Sequence, residues 1–144
     1  MKKLLSIVCA AAGLSLFAGS ALAQTYPTKP IKIIVPFGPG GFTDVVARIL
    51  GVKLGESLGQ SVVIENKPGA GSMIGTDQVA KSAPDGHTLL IVSSTHVISP
   101  WIYKSVPYDP LKSFAPVTKL VDSPYVLLTH PKVPAKNVQE FIAL

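Results

Sequence analysis

An α/β fold, a mainly parallel sheet flanked by helices, is predicted from three features of this 144-residue chain. Strand-like apolar runs begin near residues 31, 61 and 88. The first two runs end in glycine-rich turns, and each turn opens into a helical pattern. Intervals of roughly thirty residues are those of successive βαβ units, whose right-handed crossovers build a parallel sheet.

The elements follow in order. Thr25 to Pro30 is a polar, proline-flanked lead-in. Ile31 to Phe37 is a dense β-branched run, as expected for a strand covered on both faces, with Pro36 ending it. Thr43 is the expected N-cap of the first helix, with Asp44 in its first turn where the dipole favours an acid. Val46, Ile49, Leu50, Lys53, Leu54 and Leu58 recur at helical spacing, and Gly59 closes the element. Ser61 to Asn66 is a second strand. A second helix begins near Ser72 and runs to Ser82, with Ile74, Val79 and Ala83 as its apolar members. Pro84, Asp85 and Gly86 form a turn, and Thr88 to Ser93 is a third strand. Beyond it, Val97 to Tyr103 reads as a short helix, and Ala115 to Val121 and Tyr125 to Thr129 as two further strands. Asn137 then caps a helix opening, with Glu140 at the capping-box position.

The two ends set compartment and extent. Lys2 and Lys3, the apolar run Leu4 to Phe17 and the Ala21-Leu22-Ala23 site read as a secretory signal over residues 1–23. The apolar run is too short for a transmembrane span. Removing these 23 residues takes away two lysines and Cys9, the one cysteine, leaving 121 residues with eleven basic and eight acidic side chains. The formal charge falls from +5 to +3, and no basic cluster remains to suggest nucleic-acid binding. A cysteine-free exported chain behind a Lys-Lys start fits a bacterial periplasm. The pattern stops in a helix without a C-cap signal or return strand, so the sequence is expected to be a truncated piece.

The chemistry concentrates in two turns. Ile33 to Asp44 packs strand, glycine turn and helix start into twelve residues, and Val62 to Ser72 repeats the idea. A strand flowing through small residues into a helix aims unpaired N–H groups and the positive end of the dipole at one point, which suits a carboxylate or phosphate. A dinucleotide frame fails: starting at Gly38 it needs glycine at 43, where Thr43 stands, and no Walker Gly-Lys-Ser/Thr is present. Ordinary positive-φ turns would explain the glycines equally, but two small-residue turns favour a ligand touching backbone.

Other candidates have plainer readings. Asp44 is a catalytic carboxylate or, more commonly, an acid that satisfies N–H groups at a helix start. Arg48, the one arginine, can meet a ligand carboxylate or pair with a nearby acid. His87, His96 and His130 lack ligand spacing, so neither a metal nor any other cofactor is expected. Ser93, Ser94, Thr95 and His96 fall at the carboxyl end of the third strand, the edge where parallel sheets hold ligands. A Ser94–His96 hydrolase is the alternative reading, though no G-x-S-x-G elbow accompanies it. A structural fragment that binds nothing is a third. Phe42 and Trp101 can wall a pocket or, for Trp101, fill a core or interface.

The ordered motifs carry a resemblance. Val35-Pro-Phe-Gly-Pro-Gly-Gly-Phe-Thr-Asp44 with Ala47 and Arg48, Val63-Ile-Glu-Asn-Lys-Pro-Gly-Ala-Gly71, Gly75 and Thr76, Val79 and Ala80, and Pro84-Asp-Gly-His-Thr-Leu89 together resemble the Bug family. These are the TctC-type substrate-binding proteins of tripartite tricarboxylate transporters. Tyr26 to Ile31, Pro107 to Pro110 and Phe114 to Val117 are also similar. The resemblance implies a type II periplasmic-binding-protein-like fold without catalysis, in which two lobes close on a small carboxylate held largely by main-chain N–H groups. It implies a monomer that serves membrane transporter subunits. On this chain the ligand-binding positions are Pro39, Gly40, Gly41, Phe42, Thr43 and Asp44 in the first turn and Gly69, Ala70, Gly71 and Ser72 in the second. Ser94, Thr95 and His96 form a third segment. Residues 24–117 would be the first lobe, and 118–144 crossover strands and the start of a second, largely missing lobe. Two positions depart from the family: Ser72 replaces a frequent glycine, and His87 a frequent tyrosine, the latter expected to matter little.

Overall fold

The computed structural model describes residues 26–144, so the signal segment 1–23 lies outside the described residues. Three parallel strands form one sheet in the order β2–β1–β3: β1 is Ile31–Val35, β2 Val62–Asn66 and β3 Thr88–Leu90. β1 sits in the middle, which explains its composition. Ile31, Ile33, Ile34 and Val35 are all buried, so both faces of the strand are covered, as an unbroken β-branched run requires. The pairing outlasts the strands: Ile31 N–H donates to Ser61 O, Lys67 N–H to Val35 O and Ile91 N–H to Ile34 O.

Helix α1 spans Phe42–Leu58 and carries the chain from β1 to β2. It packs Ala47, Leu50, Leu54 and Leu58 against the core of Ile31, Ile33, Val35 and Ile91. Ile49, taken from its spacing as part of the apolar stripe, instead points outward with Val45 and Val52. Gly51 lets the helix lie close on β2, since a Cβ there would sit 3.0 Å from Ile64 Cδ1. Gly59 ends the helix in the left-handed conformation, its N–H bonded to Gly55 O, as its position in the sequence predicts. The helix starts two residues earlier than expected: Gly41, not Thr43, is the N-cap.

From β2 a 3₁₀ turn, Ala70–Ser72, leads into α2, Met73–Ala80, which packs on β1 and β3. The chain therefore leaves β1 toward one side of the sheet and returns to the other. Right-handed crossovers in opposite directions put α1 and α2 on opposite faces. β3 is shorter than the Thr88–Ser93 run implied, because Val92 and Ser93 have already left the sheet. Helix α3 follows at Thr95–Ile102, two residues earlier than expected, and carries Pro100 two positions before its end.

His87 has more to do than its position suggested. Its Nε2 accepts the Thr28 N–H (3.2 Å), its Nδ1 lies 3.0 Å from Asp85 O, and its ring meets Tyr26. With Tyr26 Oη donating to Gly86 O and Lys29 paired to Asp85, it clips the lead-in to the turn before β3.

The described chain divides into two compact units at Phe114/Ala115. In the second, Ala115–Val121 and Tyr125–Thr129 form no strands. Their apolar side chains are exposed, and a strand needs a partner for its backbone groups as much as it needs β-branched residues. Helix α4, Val138–Ile142, is capped as its sequence requires: Asn137 Oδ1 accepts the Glu140 N–H, and Glu140 Oε2 reaches back to the Lys136 N–H.

Candidate functional site

Because the three strands are parallel, the loops leaving β1, β2 and β3 emerge at one edge of the sheet. That edge carries the first turn (38–44), the second turn (69–72) and the 93–96 segment. β1 lies between strands reached in opposite directions, which is the switch-point arrangement where open α/β sheets bind ligands.

Gly38, Pro39, Gly40, Gly41 and Phe42 are exposed, with Thr43 half-buried. Gly40 holds φ +80°, a conformation that costs glycine nothing. Gly41 adopts an extended N-cap conformation and supplies no capping side chain. The first turn of α1 therefore keeps donors without intrahelical partners and the positive end of its dipole toward the exposed loop.

Asp44 is 2% exposed and braces this turn from beneath. Its Oδ2 accepts the Gly40 N–H and the Arg48 Nε–H, both at 2.9 Å, and its Oδ1 accepts from Asn66 Nδ2 at 2.9 Å. The Arg48 bond, then the Gly40 N–H and the Asn66 amide, lower the carboxyl from 3.8 to about 2. Asp44 thus serves an N–H preceding the helix rather than those of its first turn. The Arg48 charge beside it offsets a carboxylate that would otherwise repel an anion. Arg48 pairs with a nearby acid, the plainer of its two readings.

The second turn is built from four consecutive positive-φ residues: Gly69 (+130°), Ala70 (+47°), Gly71 (+61°) and Ser72 (+79°). Ala70 and Ser72 pay a steric cost that glycine avoids, and strain of this kind gathers at ligand sites. The Ser72 hydroxyl is buried without a partner, so it is not a side-chain cap for α2. Tyr103 Oη rests against Gly71, where a Cβ would collide with it.

In the third segment, Ser93 Oγ and Thr95 Oγ1 lie 3.0 Å apart, and Ser94 is exposed. His96 is buried, stacked on Tyr108 and edge-on to Phe114, with Nε2 2.9 Å from Pro110 O. A carbonyl only accepts, so Nε2 carries the proton and is committed to Pro110. His96 thus belongs to an aromatic cluster, with Nε2 turned to Pro110. Among the described residues no group of three or more His, Cys, Asp or Glu side chains could hold a metal ion.

Asn66 is the residue of this edge that spacing did not single out. Its Nδ2 also donates to Phe37 O (3.1 Å), and its Oδ1 accepts from Arg48 Nη2 (3.1 Å). An amide on the last residue of a parallel strand, just before a Pro-Gly turn, was the available signal.

The described lobe is a mainly parallel sheet flanked by helices, with an uncapped helix N-terminus and a glycine-rich turn at its strand exits. Residues 46–144 match the model of the tripartite tricarboxylate transporter family receptor, TctC, and the chain belongs to that family. Protein BugT of Bordetella pertussis is 44% identical over 145 residues, covering 99% of this chain and 44% of BugT. The periplasmic binding protein BugD superposes with a TM-score of 0.59 at 46% identity, over 62% of this chain and 30% of BugD. MatC from Rhodopseudomonas palustris with bound malate gives 0.72 at 38% identity, over 82% of this chain and 40% of MatC. The chain therefore spans roughly two-fifths of the length of such relatives.

Proposed function

We propose that this chain captures a small carboxylate in the periplasm and delivers it to the membrane subunits of a tripartite tricarboxylate transporter, acting as a monomer and without catalysis. Residues 24–117 are the first of two lobes and 118–144 the start of the second. The ligand carboxylate docks on main-chain donors of the Pro39–Asp44 turn and on the Gly69–Ser72 turn, with Ser94, Thr95 and His96 bordering it. One observation carries the reading: α1 begins on a glycine N-cap with no side-chain cap, at the exposed loop of the central strand. The malate bound by MatC supports a dicarboxylate as ligand.

Gly41→Val is the sharp test. The native φ is −75°, and a Cβ there would meet only Gly38 O at 3.7 Å, so the fold accommodates the side chain. The branched group then crowds the helix N-terminus. Malate binding to the wild-type chain, followed by nuclear magnetic resonance, is expected to weaken about tenfold or more in Gly41→Val, a loss of about 1.4 kcal/mol. Equal binding by the two proteins overturns the reading.

A further inference from the structure

The geometry points to Asn66 as the residue that positions the first glycine turn relative to the second, an inference that rests on the carboxylate reading above. Its side chain uses both amide hydrogens and its oxygen, and all three bonds go to the β1 exit and α1. Nδ2 donates to Phe37 O at 3.1 Å and to Asp44 Oδ1 at 2.9 Å, while Oδ1 accepts from Arg48 Nη2 at 3.1 Å.

The partners bracket the first turn. Phe37 directly precedes Gly38, and Asp44 closes the turn by accepting the Gly40 N–H. Asn66 itself is the last residue of β2, three positions before Gly69. Lys67 N–H still pairs with Val35 O at 2.8 Å, so the two chains remain bonded up to the point where each leaves the sheet. One amide therefore joins both ends of the first turn to the strand that launches the second.

The residue type is specific. Aspartate has the same size and keeps an oxygen for Arg48, but it donates nothing to Phe37 O and sets a second carboxylate beside Asp44. Alanine removes all three bonds. A glutamine amide would have to retract one methylene to reach the same partners. The neutral amide alone completes the set without adding charge where an anion docks.

The test compares the wild-type full chain with Asn66→Ala and Asn66→Asp, using malate as probe and backbone amide resonances as readout. Losing the positioning bonds is expected to weaken malate binding about tenfold in both variants, the effect of roughly one or two hydrogen bonds. The malate-induced shifts of Gly40 to Asp44 shrink relative to those of Gly69 to Ser72, while strand β3 amides keep their positions. A purely structural role would instead lower the melting temperature and leave binding below it unchanged, and that result overturns the inference. If wild-type protein shows no malate shifts, the carboxylate reading fails separately. The ligand-free amides then decide: faster hydrogen exchange at Gly40 together with Gly69 to Ser72 in Asn66→Ala supports the positioning role, and unchanged exchange in either turn overturns it.

Discussion

The buried carboxylate of Asp44 lies 2.9 Å from the guanidinium of Arg48, one helical turn along α1. Arg48 is half exposed while Asp44 is almost fully covered, so the pair stands at the boundary between the core and the exposed loop edge. The one arginine of the chain thus neutralises an internal acid, and under the proposed function a bound carboxylate is left to backbone donors.

Asp44→Asn is expected to lower the melting temperature by several degrees at neutral pH. The new amide brings an NH₂ group toward Arg48 or Asn66, both donors, and the ion pair is lost. Differential scanning calorimetry of the variant checks this, and an unchanged transition would contradict the bracing role.

Acid should reveal the same pair. Asp44 falls from 3.8 to about 2 chiefly through Arg48, and Asp85 falls to about 2 chiefly through Lys29. A carboxylate whose folded value is depressed contributes stability that is complete above its unfolded value and lost as pH drops through the folded one. Stability should therefore decline between about pH 4 and pH 2. Urea unfolding across that window should show a shallower decline in Asp44→Asn and in Asp85→Asn than in wild type.

Gly75→Ala sets two effects against each other. Alanine in a helix gains about 1 kcal/mol over glycine. Here, however, the Cβ would stand 2.8 Å from Lys67 O and 3.0 Å from Pro36 Cβ, both on rigid neighbours. Overpacking of that kind costs about 1–3 kcal/mol, so a net loss of about 1 kcal/mol is expected in urea melts. A more stable variant would show that α2 is free to move off the sheet.

Ser72→Gly should move the other way. Relief of the +79° backbone is worth about 1–2 kcal/mol, against about 0.5–1 kcal/mol for the entropy of glycine. The variant should gain up to about 1 kcal/mol in the same melts, helped by removal of a buried hydroxyl that lacks a partner. Reduced stability would assign that hydroxyl a bond in solution.

His87→Phe keeps a ring against Tyr26 but removes the acceptor for Thr28 N–H. Hydrogen exchange at Thr28 should quicken while the β1 amides stay protected. Equal protection in both proteins would show that the lead-in is held by other contacts.

The sheet was legible because β1 and β2 announce themselves by β-branched runs, and their turns by Gly38 to Gly41 and Gly69 to Gly71. Val117, Leu120 and Tyr125 to Leu128 looked equally strand-like, but hydrophobicity sets only the preference, and a neighbouring strand must supply the bonds. Thr43 resembled a cap because hydroxyls usually serve there, whereas the Asp44 carboxylate, reaching back to Gly40, lets a bare glycine begin the helix. Asn66 stayed hidden because its partners lie 18, 22 and 29 residues away, distances no local pattern encodes.

The central claim is that a carboxylate docks on backbone donors of the two glycine turns. Titrating the ¹⁵N-labelled chain with malate, with chloride as a control, tests it residue by residue. The account expects weak, saturable shifts confined to the amides of Gly40 to Asp44 and Gly69 to Ser72, with smaller ones at Ser94 to His96. Malate shifts centred elsewhere, or none at either turn, would contradict it.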